Sequence, residues 1–157
     1  MPSDISFSCQ AQANEIPAST RFMPEEKFEA PTVLVVEDDL TMALFLMTCI
    51  GEVGGYQVVH AQNGRYAERI LGTRNIGLIV SDIIMPDLDG LELIRIRDKV
   101  TPGTPIIIMT GGSAKLPLMD LPRTARMLGA EAALNKPVDP QKLLELIKSM
   151  VGKKSQS

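Results

Sequence analysis

Aromatic residues are scarce in this chain. They make up 4% of its 157 residues, with no tryptophan, so there is little from which to build a base-stacking platform for single strands. Basic residues are not in excess: 16 Lys and Arg stand against 19 Asp and Glu, for a net charge of -3. Sequence-independent nucleic-acid binding needs a basic surface, and the one basic cluster, Lys153 and Lys154, reads as a solvated tail. Two cysteines are present, Cys9 in a polar leader and Cys49 in an apolar helical stretch. No disulfide framework is expected from them, and a reduced, cytoplasmic setting is. No apolar run reaches the ~18 residues of a membrane span. The N-terminus lacks the basic start and apolar centre of a signal peptide.

What is present is a globular composition, 45% hydrophobic, in a length suited to one domain with a real core. Residues 1–30 stand apart. They show no sustained apolar period and carry Pro2, Pro17 and Pro24, which predicts a mostly disordered leader. Phe22, Met23 and Phe28 give that leader a means of docking on the domain or on a partner; a loose tail is the simpler reading. Residues 31–151 are expected to form the domain and 152–157 a C-terminal tail.

Within the domain, short apolar runs alternate with helical spacing. "TVLVV" (32–36), "YQVVH" (56–60), "IGLIVSD" (76–82), "TPIIIMT" (104–110) and the weaker "EAALN" (131–135) read as strands. The segments between them read as helices: 40–54 ending at Gly54 and Gly55, 64–72 closed by Gly72, 89–100, 123–130 and 139–150. Leu91, Ile94 and Val100 are expected to face inward from the third of these. Asp139 is the expected N-cap of the last, with Pro140 at its first position. Continuous apolar strands alternating with helices predict an α/β fold, a parallel sheet covered on both faces. Right-handed crossovers then favour a flavodoxin-like, doubly wound five-stranded sheet of order 2-1-3-4-5.

In such a sheet, ligands bind beyond the carboxyl ends of the strands. Glu37, Asp38 and Asp39 follow the first strand. Asp82 ends the third, Thr110 the fourth, and Asn135, Lys136 and Pro137 the fifth. The first and third strands are neighbours in the predicted order, so Asp38 and Asp82 should lie close in space. Close carboxylates repel, and one protonates unless a cation intervenes. Mg²⁺, hard and oxygen-liganded, suits them, and Lys136 adds a fixed positive charge. A carboxylate nucleophile, a metal, a lysine and a hydroxyl together suit acceptance of a phosphoryl group.

Four segments then carry a resemblance. "VVEDD", "SDIIMPDLDG", "IIIMTG" and "NKP" resemble, in order, the acidic pair, the phosphoacceptor segment, the hydroxyl-bearing strand end and the lysine–proline signature of response regulator receiver domains. The likeness spans residues 32–150. It implies that Asp82 is the phosphoacceptor, that Asp38 is a direct Mg²⁺ ligand, and that Glu37 acts on the metal through water. It implies that the backbone carbonyl of Ile84 is the third protein ligand, Thr110 the switch hydroxyl and Lys136 the phosphate-pairing base, with a cis Lys136–Pro137 peptide. It also implies a phosphoprotein of two-component or phosphorelay signalling that receives its phosphoryl group from a histidine kinase or a histidine phosphotransfer protein. Such a domain catalyses its own phosphorylation and dephosphorylation and is not otherwise an enzyme.

Asp87 and Asp89 are placed in a turn, with Asp89 capping the next helix, and Asp39 is expected to cap the first. His60, the only histidine, is read as a surface residue and not as a phosphodonor. Two features depart from the family pattern. Ala133 stands where a switching aromatic is usual. The stretch from Gly111 to Pro122 holds two glycines and two prolines, and its first part is expected to be an irregular loop. The chain ends about where the fifth helix does, so no appended DNA-binding or catalytic domain is expected. Output would pass through protein contacts to an unknown downstream partner. Neither nucleic acid nor membrane is an expected partner. A pseudo-receiver that acts as an interaction module is the alternative. A stand-alone phosphohydrolase would commonly need an acid two residues after the nucleophile, where this chain has Ile84.

Overall fold

The computed structural model describes residues 31–85, 87–111 and 120–151. The leader 1–30, the tail 152–157 and most of the expected irregular loop, residues 112–119, lie outside them. The strands are β1 (Thr32–Val36), β2 (Val58–Ala61), β3 (Ile76–Asp82), β4 (Ile106–Gly111) and β5 (Ala132–Lys136). The helices are α1 (Leu40–Met47), which runs on into a wider π-helical turn over Thr48–Val53, α2 (Gly64–Thr73), α3 (Gly90–Val100), α4 (Leu121–Met127) and α5 (Pro140–Val151). The sheet has the order β2-β1-β3-β4-β5 and every pairing is parallel. This is the expected flavodoxin-like arrangement.

The apolar strand runs follow from burial on both faces. Successive strand residues point to opposite sides. Leu34, Val36, Ile79, Ile106 and Ile108 pack with Ala67, Leu71, Leu93, Ile94 and Ala125 of α2, α3 and α4. Val33, Val35, Leu78, Val80, Ile107 and Met109 pack with Leu46, Ile50, Leu143 and Ile147 on the α1 and α5 side. Each large aliphatic side chain buried this way contributes roughly 1.5–3 kcal/mol relative to exposure. Cys49 is a free thiol within the second layer, its pKa raised by burial. No helix among the described residues is long and apolar enough to cross a membrane.

Several element ends differ from expectation. Strand β2 starts at Val58 rather than 56, β4 at Ile106 rather than 104, and β5 at Ala132 rather than 131. Helix α2 runs through Gly72 to Thr73. Helix α4 begins at Leu121, two residues earlier than expected, because Asp120 caps it by accepting from the Arg123 N–H at 3.2 Å. Pro122 sits in its first turn, where a missing N–H costs nothing. On α3 the buried residues are Gly90, Leu93, Ile94 and Arg97; Val100 is 40% exposed, not inward.

Arg97 is a buried cation that the amphipathic reading of α3 did not foresee. Its guanidinium donates to the carbonyls of Thr104 and Gly129 and reaches Glu131 Oε1 at 3.3 Å. Glu131 in turn accepts from the Ile106 N–H at 2.6 Å. These bonds tie α3, the start of β4 and the approach to β5 together at the end of the sheet away from the acids.

Candidate functional site

Three strands deliver ionisable side chains to one rim. Glu37 and Asp38 follow β1, Asp82 ends β3 and Lys136 ends β5. Carboxylate oxygens of Glu37, Asp38 and Asp82 all lie within 4.8 Å of one another. The Lys136 ammonium stands between two of them, 2.9 Å from Asp82 Oδ2 and 3.1 Å from Glu37 Oε2. Glu37 and Asp82 are buried, Asp38 is exposed, and Lys136 is half-buried.

Burial sets the electrostatics. It pushes the Glu37 carboxyl above its ordinary pKa; the Asp39 N–H and Lys136 oppose that push, and the charge of Asp82 adds to it. Burial alone would pull Lys136 down. Its hydrogen bond to Asp82 and the Asp82 charge, then the same contributions from Glu37, outweigh burial and raise it. Lys136 is therefore firmly protonated at neutral pH.

Glu37 is held at several points. Its N–H donates to Ala61 O at 3.1 Å, and its Oε1 accepts from the Asp39 N–H at 3.1 Å. Its backbone carbonyl accepts from His60 Nε2 at 2.8 Å. His60 is half-buried against this loop; its reading as a surface residue did not include this bond. A hydrogen bond between adjacent strand ends has no signature in sequence.

In the segment that holds three acids, the structure separates them. Asp82 enters the cluster. Asp87 is exposed, and Asp89 caps α3, accepting from the Glu92 N–H at 2.8 Å. The Ile84 N–H points to Asp82 Oδ1 at 3.4 Å. Gly90 lets α3 start directly against the acid's backbone: a Cβ there would lie 2.6 Å from Asp82 O and 2.9 Å from Ile83 Cα. Asp39 caps α1, accepting from the Met42 N–H at 2.7 Å.

Thr110 lies at the same rim, at the end of β4. Its buried hydroxyl donates to Asn135 Oδ1 at 3.0 Å, its register partner on β5. Asn135 was read as part of the strand end without this role. The pairing of β4 with β5 brings the two together, and only that register could have signalled it. The Lys136–Pro137 peptide is cis. Ala133 sits half-buried in β5, opposite Ile108.

Three carboxyls and one ammonium leave negative charge in excess. The donors are hard oxygens from closely spaced side chains, a set that fits Mg²⁺ and gives no purchase to soft metals.

The family model for the response regulator receiver domain matches residues 33–148. The chain belongs to that family. This receiver domain is 35% identical over 121 residues to the response regulator receiver protein CpdR of Brucella abortus (strain 2308), covering 76% of the chain and 95% of that protein. It is 32% identical to the transcriptional regulatory protein GlrR of Escherichia coli (strain K12), covering 74% of the chain but 26% of that protein. Among solved structures, it is similar to the receiver domain of the Francisella response regulator 1452, with a TM-score of 0.70, 30% identity, and coverage of 79% of this chain and 98% of that one. Two-component signalling is the setting of the family.

Proposed function

We propose that this receiver domain takes a phosphoryl group onto Asp82 from a phosphohistidine of a histidine kinase or histidine phosphotransfer protein. The observation that carries the proposal is the Lys136 ammonium held between Asp82 and Glu37, with Asp38 beside them. A carboxylate can act as the nucleophile in covalent group transfer, and the adjacent ammonium gives the incoming phosphoryl oxygens a fixed positive charge.

In the step proposed, an Asp82 oxygen forms a bond to phosphorus as the phosphorus–nitrogen bond of phosphohistidine breaks. The electron pair leaves with the imidazole, which takes a proton from solvent. Asp82 reacts as the carboxylate and has no proton to lose. Lys136 offsets the charge arriving on the phosphoryl oxygens. Thr110 would exchange its bond to Asn135 for a charge-assisted one to a phosphoryl oxygen. Asp38 and Asp82 would hold Mg²⁺ directly, Glu37 through water, with the Ile84 carbonyl as the remaining protein ligand. Bound there, the ion would neutralise phosphoryl charge. Hydrolysis at the same site would return Asp82 to the free acid.

Output would pass by protein contacts, through the stretch from Gly111 to Pro122 and α4, with β5 and the face of α5 around Lys142 and Glu145. The alternative is an interaction module with a vestigial site. The pairing of Lys136 with two buried acids favours the phosphoacceptor over it, because such a module needs no lysine there.

The test is intact mass after incubation of the full chain with acetyl phosphate. One phosphoryl group should be gained with Mg²⁺ and none in excess chelator. No gain under any divalent cation would overturn the proposal.

A further inference from the structure

His60 lies on β2, beside the site but outside it. Its neighbours on the register are fixed: His60 pairs with Val35, and Ala61 with Val36. The ladder carries one step further, with the Glu37 N–H donating to Ala61 O at 3.1 Å. There β1 ends, and the Glu37 carbonyl would have no strand partner on this side. His60 Nε2 takes that place, 2.8 Å from the carbonyl oxygen. A carbonyl can only accept, so Nε2 carries the proton.

We infer that His60 is a positioning residue for Asp38, acting through the Glu37–Asp38 peptide. The peptide is planar, so the Glu37 carbonyl and the Asp38 N–H turn as one unit. Holding the carbonyl therefore fixes the plane from which Asp38 departs. Downstream, the loop is closed by Asp39, whose side chain accepts from the Met42 N–H at 2.7 Å and whose own N–H donates to Glu37 Oε1 at 3.1 Å. Asp38 is thus clamped from both sides while its carboxylate stays exposed. Its oxygen lies within 4.8 Å of those of Glu37 and Asp82, and these bonds hold the backbone beneath it. Without the imidazole N–H, the Glu37 carbonyl is free to rotate toward solvent, and Asp38 must be ordered each time a cation binds. Groups that orient metal ligands from behind commonly set affinity in this way.

This inference rests on the reading of Asp38 and Asp82 as Mg²⁺ ligands, and the test separates the two. Mg²⁺ binding to the full chain is measured by titration calorimetry for the native protein, His60→Phe and His60→Gln. Phenylalanine keeps the ring's bulk without a donor; glutamine keeps an N–H at similar reach. His60→Phe should bind Mg²⁺ about tenfold more weakly, the low end for partners behind a metal ligand, while His60→Gln stays within about twofold of native. The half-saturating Mg²⁺ for phosphorylation by acetyl phosphate should shift likewise, with the rate at saturating Mg²⁺ little changed. Should His60→Phe fail to fold, His60→Val, which continues the run of Val58 and Val59, carries the same comparison. Native affinity in the donor-free variant, or equal weakening in Phe and Gln, overturns the role of His60 alone. Absence of Mg²⁺ binding by the native chain overturns the reading of the site, and this inference with it.

Discussion

Lys136 Nζ lies 2.9 Å from Asp82 Oδ2, although 54 residues separate them in sequence. Their strands are not neighbours either: β4 runs between β3 and β5. Two strand spacings amount to about 10 Å, so the lysine must lean across the end of β4 to reach the acid. Little but a long cationic side chain can do both jobs at this position.

Replacing it tests that bridge. Lys136→Met should lower stability at neutral pH by about 1–3 kcal/mol, the cost of leaving buried polar partners unpaired. The pH dependence follows from the raised lysine pKa. A raised folded value means that the pairing stabilises fully below lysine's unfolded pKa and is lost as pH rises through the folded one. The native chain should therefore lose stability at the alkaline end, above the ordinary lysine range, and Lys136→Met should lack that loss. On the acid side, Glu37 has a raised pKa from burial. Its ionisation in the fold is unfavourable, so the deficit of Lys136→Met should shrink as pH falls and Glu37 protonates. Chemical denaturation across pH measures both limbs.

Asp38 contributes charge to a cluster that already has too much of one sign. Removing that charge without removing the side chain should help the metal-free fold. Asp38→Asn should raise the melting temperature in chelator by a few degrees, and the further rise on adding Mg²⁺ should largely vanish. An unchanged response to Mg²⁺ would show that Asp38 is no ligand. Thermal scans with and without the ion suffice.

Gly90 lies directly against the backbone of Asp82. A methyl group there would press on Asp82 O and Ile83 Cα, at 2.6 and 2.9 Å, and these atoms belong to the strand end rather than to a side chain that can turn aside. Gly90→Ala should cost about 1–3 kcal/mol, as overpacking does, and should slow phosphorylation by acetyl phosphate as the Asp82 backbone shifts. Stability and rate measured on the same variant would show the two effects together; a rate unchanged despite lost stability would detach α3 from the positioning of Asp82.

Much of this architecture was legible in the sequence because one physical rule governs it. A strand covered on both faces is apolar at every position, so Ile76–Asp82 could be read to its ends, and the acid that breaks the run marks the rim. Caps were legible for the same local reason: Asp39, Asp89 and Asp139 each sit just before a helix and bond its first amides. The start of α4 was missed because proline was read as a helix breaker, whereas Pro122 falls in the first turn behind the Asp120 cap. Arg97, Asn135 and His60 were missed for a different reason. Each acts on a partner more than 20 residues away, Glu131, Thr110 and Glu37 respectively. Such pairings arise from strand register and helix docking, which local pattern does not encode. The acidic cluster was legible only once the strand order placed β1 beside β3.

The central claim is that one acid among three in "SDIIMPDLDG" does the chemistry. Intact mass of the native chain and of Asp82→Asn, Asp87→Asn and Asp89→Asn, each incubated with acetyl phosphate and Mg²⁺, tests it most directly. Asp82→Asn should remain at its unmodified mass while keeping a native melting curve, and the other two should gain one phosphoryl group as the native chain does. A phosphoryl group gained in full by Asp82→Asn, or lost with Asp87→Asn or Asp89→Asn instead, would contradict the account.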